Sequence, residues 1–411
     1  MKTFKTTYFL IVFGAIIATS FILGCASGNE TEIIMEENEE NEENEEKVIK
    51  PVTEWEFTTG GPIWGSSTTK NNITYFGSTD GKVYALDSKT GAKKWEYKTN
   101  GPIHGNVSVY DNYLYIASDD GNLYKLSTAS GIEIWKANIN EEEADIRYAP
   151  ADNSPNNFRW DYRGSSPTEL DGVVYIGSAD NNLYALNAAN GSKRWHFKTN
   201  GIIRSKPIIA DQYVVFGSFD GYIYAIDKDS GTELWKFKTG GAVTPSVAIY
   251  NNKVFIGSRD KNLYSLSLST GEVSWKIPYE NGSWVESGAT IYNDTLYIGS
   301  SFLAKNFAIN PGTGVIYWSI DAGGAAYATP KLTEEGYYSG AVGLENTNSG
   351  DFKGGVARYD RLTGDLVWRF KFSVVPGLYD HGVSSTVEVI DELVLFGALD
   401  GTFYALKEVE E

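Results

Sequence analysis

The chain has 411 residues, a single cysteine and a formal charge of −18 at neutral pH. A lone thiol excludes an internal disulfide and a cysteine-rich metal centre. So acidic a chain also argues against nucleic acid as a partner, because phosphate would be repelled.

Residues 1–24 read as an export signal. Lys2 and Lys5 supply the positive start, and Tyr8 to Gly24 is uncharged and mostly apolar. The run ends in Ile22, Leu23, Gly24 and Cys25, which resembles a bacterial lipoprotein signal and implies cleavage before Cys25 and its acylation. The other reading is an uncleaved anchor, since 17 uncharged residues reach the lower limit for crossing a bilayer. Residues 25–50 follow as an acidic tether. Ten Glu and two Lys lie in 26–50, a composition too polar to bury a core and expected to be disordered. At about 3.3 Å per residue it would reach roughly 80 Å.

From residue 51 to 411 the chain repeats. Trp55, Trp95, Trp135, Trp195, Trp235, Trp275, Trp318 and Trp368 follow one another at intervals of 40, 40, 60, 40, 40, 43 and 50 residues. A period near 40 is that of four-stranded propeller blades, which cannot bury their faces alone and must stack into one body. In the first repeat, short strands are expected over Ser66 to Thr69, Ile73 to Ser78, Lys82 to Leu86 and Trp95 to Lys98. Asp80-Gly81 joins the second to the third and is expected to form a type I′ turn, with both residues at positive φ. The Asp-Gly pairs at Asp120, Asp220 and Asp400 recur at this same hairpin position, so turn chemistry explains them better than metal binding. After Leu406 the last repeat lacks its tryptophan strand, and Glu54 to Thr58 carries the missing pattern. The sequence therefore predicts an all-β, eight-bladed propeller closed by pairing its first strand with its last blade.

The phrase Ala-x-Asp-x-x-Thr-Gly-x-x-x-Trp, intact at Ala85 to Trp95 and nearly so at Ala225 to Trp235, resembles the docking motif of the quinoprotein (PQQ) alcohol dehydrogenase-like propellers. That resemblance covers about 355 residues. It implies that the eight tryptophans each pack on a neighbouring blade. It leaves function open, because the family includes dehydrogenases and non-catalytic envelope proteins. Within it, the propeller lipoproteins of the outer-membrane barrel-assembly machinery are similar in combining an acylated cysteine, a short tether and eight blades.

Loop lengths separate the two faces of the disc. The turn leading into each tryptophan is constant, with eight residues from the Asp position to the Trp. The interblade connections vary: Trp to the next Gly-Ser pair or its equivalent is 22 residues in plain blades, but 42 from Trp135, 29 from Trp368 and 24 from Trp275, and Val342 to Gly355 holds about ten extra residues. The variable face is the expected working surface. Around its funnel, alignment places Trp64, His104, Arg163 or Gly164, Arg204, Thr244, Glu286, Tyr327 and Ser384, with Trp160 and Asp380-His381 on loops able to join the rim. This mixture suits a polar or anionic ligand, or a protein partner anchored by aromatic and arginine side chains.

Two functions follow. In one, the protein is exported and lipid-anchored, facing periplasm or cell exterior, as a non-catalytic, monomeric docking or ligand-binding platform. The resemblance implies outer-membrane assembly proteins as partners, and an extracytoplasmic sensor is the variant of this reading. In the other, it is a PQQ- and calcium-dependent dehydrogenase, for which Glu286, Asp161 and Asp380 are candidate ligands or base and Trp64 or Trp284 a stacking floor. The vicinal disulfide common in such dehydrogenases has no counterpart here. The expectation is therefore no cofactor, no metal and no catalytic residue.

Overall fold

The computed structural model describes residues 48–141, 164–279, 283–301, 303–344, 354–372 and 380–410. The signal, Cys25 and most of the tether lie outside them, as do Trp160, Asp161 and Arg163.

Eight antiparallel sheets follow one another along the chain. The first blade comprises Thr68–Lys70, Ile73–Gly77, Lys82–Asp87 and Lys93–Lys98. Its innermost strand starts two residues later than expected, because Gly65 to Ser67 pack against the neighbouring blades around the axis. The last blade is assembled from both ends of the propeller: Glu388–Ile390, Leu393–Gly397 and Thr402–Glu410, with Ile49–Thr58 as its outer strand. Pairing runs from Ile49 opposite Glu410 to Thr58 opposite Thr402, with one bulge between Thr53 and Trp55. The closing strand is thus longer than Glu54 to Thr58 and begins within the segment read as tether.

The core lies between blades. One cluster joins Tyr75, Val83 and Ala85 of the first blade to Leu114, Ile116 and Tyr124 of the second, through Ile103 and Val107. The Gly-Ser pair serves this contact. A Cβ on Gly77 would stand 2.2 Å from Ile103 Cγ2, so the incoming aliphatic side chain requires glycine there.

The repeated phrase is a receptor for the preceding tryptophan. Gly91 sits at φ 69° against the Trp55 ring, where a Cβ would come within 2.6 Å. Trp55 Nε1 donates to Ser88 O at 3.2 Å. Trp95, Trp135, Trp195, Trp235, Trp275 and Trp318 repeat the donation, to the carbonyls of Thr128, Ala188, Lys228, Leu268, Pro311 and Arg361. Trp368 faces a blade whose third strand runs on to Glu410 with no such turn. It donates instead to Glu408 Oε1 at 3.0 Å, and the same carboxylate accepts from Arg358 Nη1 and Tyr338 Oη.

The Asp-Gly turn differs from expectation. Gly81 is left-handed (φ 79°) but Asp80 is not, and Gly81 N donates to Ser78 O at 3.0 Å. This is a type I turn with a glycine bulge. The reason is the aspartate itself: Oδ1 accepts from Lys82 N at 2.9 Å, while Oδ2 accepts from Tyr84 Oη at 2.6 Å and Gly60 N at 2.9 Å. The type I′ geometry appears at the other turn of the blade, where Asn71 and Asn72 have φ of 51° and 59°. The Asp–Tyr brace recurs at Asp120–Tyr124, Asp180–Tyr184, Asp220–Tyr224, Asp260–Tyr264 and Asp400–Tyr404.

The seventh blade carries an addition. Its second strand, Tyr337–Leu344, outruns the third, Gly355–Tyr359, and the surplus pairs with Asp380–Gly382.

Candidate functional site

One residue in each blade marks the start of the innermost strand, and these residues converge. Trp64, His104, Gly164, Arg204, Thr244, Glu286, Tyr327 and Ser384 all line a cavity of about 90 Å³ on the propeller axis. The open choice in the third blade falls to Gly164, which holds the ring position expected for Arg163. A second collar lies two residues further along each strand: Ser66, Asn106, Ser166, Lys206, Ser246, Gly288, Thr329 and Thr386.

The ring has internal partners. His104 Nδ1 lies 2.8 Å from Asp119 Oδ2, with Trp64 6.4 Å away between ring centres. Glu286 is buried, and its Oε1 accepts from Arg259 Nε at 2.7 Å and Thr244 Oγ1 at 3.3 Å. The Arg259 guanidinium also lies over Trp284 (4.7 Å) and Phe219 (5.1 Å), and the Arg204 guanidinium stands 5.5 Å from the Phe219 ring. Ser384 Oγ donates to Trp64 O at 3.1 Å across the seam between the last and first blades. Tyr327 is buried against Ala325, Val342 and Leu399.

His381 does not join this rim. It belongs to the added strand, opposite Gly343, and only 4% of its surface is exposed. The surplus length of the seventh-blade hairpin captures that segment as a strand, and pairing buries the imidazole.

Asp119, Phe219 and Arg259 were not anticipated. Each directly follows the serine at the end of a second strand or just beyond it, where Thr79 stands in the first blade. This hairpin is clasped to the preceding interblade loop, as by Arg259 N to Ala242 O at 2.9 Å, which carries its side chain toward the axis. A column of unlike residues inside a constant phrase was the available signal.

The lining is cationic in an acidic protein. Arg204, Lys206 and Arg259 face one carboxylate, Glu286, in a chain of charge −18. Burial holds the Lys206 ammonium below the usual lysine range. These residues do not fit a calcium–quinone centre. Glu286, the acid placed to ligate or act as base, is committed to Arg259. Arg259 also covers the Trp284 face that would stack a quinone, and three cations would repel a divalent metal. Among the described residues no three His, Cys, Asp or Glu side chains converge.

Fold and ring define a propeller of the PQQ-like repeat class, with a polar axial cavity. The family described as outer membrane protein assembly factor BamB matches residues 46–154 and 157–300, and the chain belongs to it. Among solved structures, BamB from Moraxella catarrhalis is 19% identical with a TM-score of 0.57, over 71% of this chain and 88% of that one. The computationally designed Ika8 protein is 18% identical (TM-score 0.67), over 85% and 97%. The quinohemoprotein alcohol dehydrogenase from Comamonas testosteroni is 13% identical (0.66), over 87% and 76%. At such identities these structures share the fold alone. No curated protein matches the chain.

Proposed function

We propose that the protein is a non-catalytic envelope lipoprotein, anchored through Cys25, whose propeller docks other envelope proteins during outer-membrane protein assembly. Membership of the BamB family is the observation that carries this reading. The one-sided placement of the extra loop length supports it. Interblade connections and second hairpins, which hold the insertions, share the face of the axial cavity, whereas the tryptophan-receiving turns on the other face keep one length. The poor fit of the cavity to a calcium–quinone centre supports the absence of catalysis. Trp160 and Arg163 of the long third-blade insertion would act as anchors.

The test uses the full chain in its own cells, with photocrosslinking residues placed singly on each face. Crosslinks to outer-membrane assembly proteins from the cavity face alone are expected. Equal crosslinking from both faces, or capture of no envelope protein, would overturn the proposal. Substitution of Cys25 by Ser should release the protein from the membrane fraction; retention there would remove the lipid anchor from it.

A further inference from the structure

The second collar around the axis contains one residue out of keeping with its neighbours. Ser66, Asn106 and Ser166 each present a side-chain oxygen that accepts from a neighbouring blade's backbone. Thr386 N donates to Ser66 Oγ at 2.9 Å, Ser66 N to Asn106 Oδ1 at 2.7 Å and Asn106 N to Ser166 Oγ at 3.1 Å. The fourth blade places Lys206 next in this relay. An ammonium donates three hydrogen bonds and accepts none, so the relay of acceptors stops there and a donor takes its place.

Among the described residues no carboxylate pairs with Lys206, although most of the chain's other buried or half-buried cations have partners. Arg259 has Glu286, Arg358 has Glu408, and Lys125 donates to Ala188 O at 2.7 Å between two tyrosine rings. A desolvated cation without a counter-charge is unfavourable unless something else supplies the charge. Arg204 stands one layer above it, and hydroxyls of Ser166 and Ser246 flank it in the collar. The cavity, about 90 Å³, has room for about six water-sized probes at about 15 Å³ each, enough for a group of a few heavy atoms.

We propose that the axial cavity is a binding site for a small oxyanion, a carboxylate or phosphate group, held by the Lys206 ammonium and the collar hydroxyls with Arg204 above. This goes beyond protein docking and does not depend on it. Charge-assisted hydrogen bonds from a partly dehydrated ammonium are the strong kind, and the positive lining would concentrate anions against the negative body.

The experiment titrates the full chain with inorganic phosphate and, separately, with acetate, following heat release and thermal unfolding at constant ionic strength. Saturable binding of at least one is expected, and the stronger of the two identifies the preferred group. Lys206→Met should weaken that binding by about tenfold or more and raise the unfolding temperature in the absence of anion, because a half-buried cation with no carboxylate partner among the described residues is gone. Lys206→Gln provides a second variant should the methionine disturb packing, and Lys228→Met, on the phrase face, should bind as the parent does. Failure of the parent to bind either anion would overturn the proposal. So would unchanged binding in both Lys206 variants.

Discussion

Blades one to five and the eighth carry the Asp–Tyr brace; the sixth and seventh do not. In the sixth, Phe307 stands where the tyrosine belongs, and in the seventh Ala357 does. In this unbraced sector the added strand appears, and Tyr279 Oη, Tyr337 Oη and Asn306 Nδ2 are among the buried polar atoms without a hydrogen-bond partner in the described residues. Packing takes over there, with Tyr279 against Phe307 at 4.9 Å and Tyr337 among Tyr297, Trp318 and Tyr359. The contrast teaches that tryptophan docking alone sustains blade stacking, while the aspartate fixes each hairpin. Where the brace is dropped, the hairpin is released to grow.

The comparison can be broken most severely at the tryptophan receptors. Gly231→Ala would drive a Cβ to 2.7 Å from the Trp195 ring at a left-handed φ, whereas at Gly364 of the seventh blade the Trp318 ring is 3.3 Å away and Ile320 is the nearer neighbour. We expect about 3–4 kcal/mol lost on urea unfolding for Gly231→Ala and about half that for Gly364→Ala. Asp220→Ala comes next. It strands the Tyr224 hydroxyl and the amides of Tyr222 and Asn200, and a loss of about 2–3 kcal/mol is expected by the same measurement.

Alkaline titration tests the brace itself. Burial, and then the bond to aspartate, raises the folded pKa of Tyr84, Tyr124, Tyr184, Tyr224, Tyr264 and Tyr404. Their contribution is complete below the ordinary tyrosine value near 10 and is lost as pH rises through the folded values. Tyrosinate absorbance should therefore appear together with unfolding, and Tyr224→Phe should lessen the loss of stability per pH unit. The smallest effect has the opposite sign. Tyr279→Phe deletes a buried hydroxyl that bonds to nothing, so stability should hold or rise by up to about 1 kcal/mol. A loss there comparable to that of Tyr224→Phe would erase the distinction between the sectors.

Much of this was legible in advance because repetition turns sequence into geometry. The tryptophan period gave blade number and closure, and one aligned column placed Trp64, His104, Arg204, Glu286 and Tyr327 around a common cavity. The Asp-Gly pairs were recognised as turns, but their type was misread, since a dipeptide does not reveal that a tyrosine four residues on will engage the carboxylate. Lys206 was missed because the column was followed one layer deep. His381 went astray for a different reason: Val342 to Gly355 departs from the period, so nothing in the pattern announced a fifth strand.

The closing strand also imposes an order in time. Ile49–Thr58 precedes every blade in chain order, yet its partner, Thr402–Glu410, follows every other strand of the described residues. Until that partner arrives, an early strand with open backbone groups must wait beside the growing blades, and like strands from other copies are its competitors. Ten glutamates stand just ahead of it in residues 26–50. Two such strands that met during the delay would bring those charges together, and like-charge repulsion would oppose their pairing.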